Sequence, residues 1–281
     1  MLETYKSSKS SDFYFPPDSK IWEVNREKIL VACGGQRTLL MQIAHPLVAQ
    51  AISKHSRFKE DPLGRLKHTR ALISTLIFGT KEEVFEAAGK INNAHKPVKG
   101  NLEQAIGAHD AGTPYNAKNP ELIMWVWSTF TDSSLVVYNK FVRPLSDNER
   151  EKFYQEAKRV LPLLGGKTED APSTVEEFYG YIKEMVQTKK AAVNQQAREL
   201  VPYLMLQKSP ITMLPALPFS RIAIGLLPKE LRCQYGFSWN RAEQMILDII
   251  AAACRQAIPL APPKLRFSPK YLESRRKIIE S

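Results

Sequence analysis

The sequence predicts an all-α fold, a single-domain multi-helix bundle, on three observations. Apolar residues recur at helical spacing along most of the chain, helix-opening signatures precede the runs, and there is no alternating strand pattern of useful length, no repeat and no low-complexity segment. The 281 residues, 43% of them hydrophobic, suffice to bury a core without staples.

The elements follow in order. Residues 1–19 form a polar, Ser- and Lys-rich stretch, expected as a flexible arm. Helical spacing then runs over 19–44, with an interruption expected at Gly34-Gly35, and His45-Pro46 restarts a helix because proline suits the first turn. In GRLKHTRALISTLIFGT, residues 64–80, Leu66, Ile73 and Ile77 lie beside Leu72 and Leu76, with Lys67, Arg70 and Ser74 on the far side. Arg65 and Thr69 project onto the same arc as Leu72 and Leu76, with His68 at its edge, so a polar trio shares an apolar face. Thr80 with Glu83 has the form of a capping box opening a helix to His95. Asn119-Pro120 opens the next, and Ser146 with Glu149 and Ser173 with Glu176 read as two further boxes. Four prolines are expected to break 209–228 into short turns, a long helix follows over 238–258, and residues 266–281 read as a basic tail behind a domain of 20–265.

Composition narrows the function. The three cysteines are far apart and form no CxxC pair, which reads as a reducing compartment. The N-terminus has no apolar run to act as a signal segment, and no stretch reaches the roughly 18 apolar residues of a spanning helix, so a cytoplasmic protein is expected. The net charge of +11 is spread along the chain apart from Lys270, Arg275, Arg276 and Lys277. It comes without a helix-turn-helix, zinc-finger or RRM signature, so no specific nucleic-acid partner is expected. The basic tail and the apolar 210–227 segment leave peripheral membrane contact open.

Walker A, GxGxxG, HExxH and GxSxG motifs are absent, and no histidine has a glutamate three residues before it, which removes the di-iron Glu-x-x-His pattern. What remains is the placement of histidines. Val84, Ala88, Ile91 and His95 are spaced four, three and four apart on one narrow arc, thinned by Ala87 and Ala88 to leave room for something flat. His95 is therefore either a C-terminal cap favoured by the helix dipole or a ligand at the end of an apolar stripe. His45 reads as a core imidazole at a helix junction, His55 as a surface residue and His109 as a loop residue near Tyr115.

The run GGQRTLLMQIAHPLVAQAISKHSRFKEDPLGRLKHT, then FGT, INNAHKPVKG and YNAKNPELIMWVWST, resembles the successive motifs of the rubber oxygenase and MpaB-like oxygenase family, over roughly residues 20 to 265. The resemblance implies an all-α protein enclosing a haem-sized apolar cavity that holds haem b noncovalently. It implies the use of dioxygen on lipophilic, often isoprenoid, substrates to cleave C=C bonds. In those terms His95, within HxxVxG, matches the histidine that ligates iron, and Arg65 and Thr69 match an Arg/Thr pair beside the haem. His68 takes the place of a lysine, and His45 and Arg37 are carried as further cofactor contacts. An inward arginine can pair with a propionate or polarise bound oxygen, and buried polar groups need such partners. Asn92 stands where rubber oxygenases have a second histidine, Trp127 where many members have a histidine, and Ala49 and Gln50 near the position of their carboxylate base. Three functions accommodate these residues: a haem-dependent oxygenase, a non-catalytic haem or hydrophobic-ligand carrier, and a basic interaction module.

Overall fold

The computed structural model describes residues 12–56, 60–206 and 210–280. The all-α prediction holds: the described chain is helical apart from one two-stranded antiparallel ribbon, β1 Lys99–Asn101 with β2 Pro114–Asn116. The helices are α1 Lys20–Asn25, α2 Lys28–Ile43, α3 Pro46–His55, α4 Pro62–Phe78, α5 Lys81–His95, α6 Pro120–Phe141, α7 Asp147–Lys158, α8 Val175–Gln187, α9 Gln195–Leu204, α10 Pro210–Gly225, α11 Lys229–Tyr235, α12 Arg241–Ala257, α13 Pro263–Arg266 and α14 Pro269–Ile279.

The antiparallel pair of α2 and α6 forms the centre, with α10 packed across α2. The expected interruption at Gly34-Gly35 does not occur, because α2 runs straight through both glycines. A Cβ on Gly34 would sit 3.1 Å from Val137 Cγ2, so the missing side chain lets α6 approach closely. The packing gained there outweighs the roughly 1 kcal/mol that a helical glycine costs. The break falls instead at Arg26 and Glu27, where the buried Glu27 carboxylate accepts hydrogen bonds from Arg266 Nε at 2.9 Å and Nη2 at 2.8 Å.

Arg37 locks the central pair. Its Nη2 donates to Asp132 Oδ2 and its Nη1 to Ser133 Oγ, each at 2.6 Å, and its Nε donates to the Leu226 carbonyl at 2.9 Å. The ion pair is almost wholly buried, and its donors are spent on α6 and on the residue just after α10.

The capping boxes Thr80/Glu83 and Ser146/Glu149 form as expected, and Asn119 caps α6. The third box is shifted by one residue. Thr174 is the cap, accepting from the Glu177 amide, while Glu151 of α7 accepts from the Val175 amide and fixes that register across the helix pair. The long helix α12 opens later than expected, at an Asn240/Glu243 box. The segment expected as short turns is the continuous helix α10, which buries Ala216, Ser220, Ala223 and Ile224. Packing against α2 holds it helical through its prolines.

At the two ends, residues 1–11 lie outside the described residues, while Phe13 and Phe15, in the stretch expected as an arm, are buried. The stretch expected as a tail carries α14, where Ser274 donates to the Phe78 carbonyl at 2.7 Å and Lys277 pairs with Glu83 at 2.7 Å.

Candidate functional site

Helices α4 and α5 form a hairpin through Gly79 and Thr80, and this hairpin carries most of the expected site residues. Asp61 caps α4 by accepting from the Gly64 amide at 2.9 Å, and Pro62 fills its first position. The helix is fully buried only over Leu76, Ile77 and Phe78. Before that point its apolar side chains are half-buried or exposed, with Leu63 at 51%. The first three turns of α4 are thus an amphipathic helix whose apolar flank the described residues cover only in part.

On this stretch Arg65 Nη1 donates to Thr69 Oγ1 at 2.7 Å, which joins the two side chains one turn apart. Arg65 is exposed by area rather than inward, yet the protein packed around its guanidinium lowers its pKa by desolvation. Among the described residues it has no carboxylate partner. His68 is exposed on the same helix.

His95 ends the expected stripe on α5, behind buried Val84, Ala87 and Ala88 and half-buried Ile91. Burial, and then the positive charge of nearby Arg65, pushes its pKa below the usual histidine value. The ring is therefore neutral at pH 7, and no hydrogen bond reaches it from the described residues.

The other expected contacts lie elsewhere. Arg37 belongs to the α2–α6 lock. His45 is buried at the start of α3, its ring centroid 4.9 Å from His109 and 6.3 Å from Trp125, and its Nδ1 has no hydrogen-bond partner. Burial and His109 push its pKa down to about 3. Asn92 donates to the Ala88 carbonyl at 3.0 Å and the Leu163 carbonyl at 2.9 Å, pinning α5 to the turn Pro162–Leu164. Trp127 is anchored to the Ala157 carbonyl at 3.0 Å. Gln50 is buried, with its side-chain amide close enough to the Glu103 carboxylate to help lower that group's pKa.

A cavity of about 640 Å³ lies between α2, α4, α6 and α10. Of the expected site residues only Thr69 lines it, so it sits on the flank of α4 next to the Arg65 face rather than on that face. Its walls include Leu39, Leu66, Ile73, Ile77 and Phe130. Lys67, Arg70 and Ser74, expected on the far side of α4, line it as well, because α2, α6 and α10 approach the helix from that flank. These three residues are the part of the site that sequence reasoning missed. Their signal was present in their adjacency to Leu66 and Ile73 on the helical wheel.

No helix among the described residues is long and apolar enough to cross a membrane, and no group of three or more His, Cys, Asp or Glu among them is placed to hold a metal ion. Residues 22–256 match the family described as ER-bound oxygenase mpaB/B'/Rubber oxygenase, catalytic domain. Two uncharacterised proteins, one of Mycobacterium tuberculosis and one of Mycobacterium bovis, are each 24% identical over 235 residues, covering 80% of this chain and 87% of theirs. No solved structure matches the chain.

Proposed function

We propose, from the premise that the chain belongs to the mpaB and rubber oxygenase catalytic-domain family, that it is a haem b-dependent oxygenase acting with dioxygen on a lipophilic unsaturated, isoprenoid-like substrate. The observation that carries this reading is His95. It is a half-buried, neutral imidazole at the end of an apolar stripe, without a ring hydrogen bond among the described residues and beside an arginine that has no carboxylate partner among them.

These residues fit a haem. A neutral imidazole offers its lone pair to iron, and a noncovalent haem needs no CxxCH. A haem also brings two carboxylates, and Arg65 has spare donors for one of them, a charge-assisted bond worth roughly 1.5 to 3 kcal/mol.

When bound, haem supplies the redox chemistry of dioxygen, and the chain supplies binding, orientation and exclusion of water. His95 would hold the iron. Arg65 fixes the Thr69 hydroxyl by donating to it, which leaves the Thr69 proton free to be given to an oxygen atom on the same face. The apolar cavity beside Thr69 keeps an alkene chain dry and against the hairpin. The overall reaction balances as one C=C bond and one O2 giving two carbonyl groups.

The test is an absorption spectrum of protein produced with adequate iron and haem precursor, beside His95→Ala and the exposed-site control His55→Ala. The expected result is a Soret band at near one haem per chain, shifted by carbon monoxide in the ferrous state, lost in His95→Ala and kept in His55→Ala. A colourless protein that takes up no added haemin overturns the reading.

A further inference from the structure

The cavity between α2, α4, α6 and α10 has a polar wall that the oxygenase reading leaves unused. Lys67 and Arg70 stand three residues apart on α4 and both line it, and neither has an ion-pair partner among the described residues. Some other cations are paired, such as Lys20 and Arg143 with Glu23 and Glu149, Lys140 with Asp248 and Arg266 with Glu27, whereas Lys67 and Arg70 are exposed and unpaired among the described residues beside an apolar cavity. Leu39 on α2 and Phe130 on α6 make the facing walls apolar, and Ile73 and Ile77 continue the α4 wall as apolar surface. Gln36 on α2 lines it as well, with its Nε2 donating to the Leu204 carbonyl at 3.5 Å. The rim residues Val31, Leu63 and Phe219 are 43%, 51% and 40% exposed, which makes the entrance apolar too. About 640 Å³ lies within the roughly 300–1,000 Å³ range of pockets that enclose small organic ligands.

We propose that this cavity binds a single-chain lipid with an anionic head group, carboxylate or phosphate. Lys67 and Arg70 hold the head, and the apolar walls hold the chain. As a substrate class this rests on the oxygenase reading, while the binding itself does not involve His95. A neutral hydrocarbon of the same length gains the apolar term alone, so head-group charge is the feature by which the site selects.

The test uses the full chain, with oleate, oleyl phosphate and oleyl alcohol as probes below their aggregation limits, by calorimetry or displacement of a fluorescent fatty acid. One anionic chain per protein is expected, bound more tightly than the alcohol and more weakly as salt rises. The double variant Lys67→Gln/Arg70→Gln loses roughly tenfold or more for the anion and nothing for the alcohol. Ser74→Trp, which fills the cavity, blocks all three, and whichever anion depends on Lys67 and Arg70 identifies the head group. Equal affinity for anion and alcohol, or anion binding untouched by both variants, overturns the proposal. So does haem uptake that needs Lys67 and Arg70 and excludes oleate, since that result gives the cavity to the haem. His95→Ala keeps its lipid binding while losing haem, so failure of the lipid site and failure of the haem site are read separately.

Discussion

Two arginines in two parts of the molecule do opposite things. Arg37, on central helix α2, is buried, and its Nε, Nη1 and Nη2 all donate to protein acceptors, one of them the Asp132 carboxylate. Arg65, on the first turns of α4, meets one hydroxyl and no carboxylate among the described residues, on a stretch the chain leaves half covered. By motif position both look like cofactor contacts. The difference is that Arg37 is satisfied before any ligand arrives and Arg65 is not. Unspent hydrogen-bonding capacity beside partly covered apolar surface is where a ligand would find partners, whereas a completed buried network leaves it none.

The sharpest way to break this contrast is at the lock. Asp132→Ala leaves a buried guanidinium without its counter-charge and should cost about 3–5 kcal/mol in urea or thermal unfolding. Arg65→Ala should change stability by less than about 1 kcal/mol, as expected for an exposed residue. Equal losses for the two variants would erase the distinction.

A second test concerns His45, a buried group that lacks a partner. An unfolded histidine takes up a proton near pH 6.5, whereas native His45 does so only near 3. Its contribution to stability is therefore complete above about pH 6.5 and falls by up to roughly 1.4 kcal/mol per pH unit as pH drops toward 3. His45→Gln should flatten that slope in unfolding curves between pH 7 and 5. An unchanged slope would assign the acid sensitivity to other groups.

The smallest effect sharpens the site side. Thr80→Ala removes the capping box that opens α5 and should cost about 1 kcal/mol. Haem stoichiometry should be unchanged at 25 °C, because His95 lies at the far end of that helix. A loss of haem in step with helicity would show that the ligand depends on its whole helix.

Much of the fold was legible along the chain. The Thr80/Glu83 and Ser146/Glu149 boxes, the Asn119 cap and the His45-Pro46 restart are local signals, since the groups that meet are at most three residues apart. The stripe ending at His95 and the Arg65–Thr69 pair are equally local, being products of helical spacing. The misreadings share another origin. Gly34-Gly35 looks like a break until Val137 arrives from α6, and 209–228 looks like turns until α2 covers it. The 266–281 stretch looks like a free basic tail until Phe78 and Glu83 receive Ser274 and Lys277.

The sequence by itself thus determined the helices, most of their starts and the place of His95 at the end of an apolar stripe, because 3.6-residue periodicity and capping are short-range physics. Only the tertiary structure decided which polar residues are spent and which are free. Arg37 and Arg65 differ in what other helices bring to them, and the cavity exists only because α2, α6 and α10 meet one flank of α4. Burial and pairing between distant segments depend on that assembly, and no local pattern encodes them.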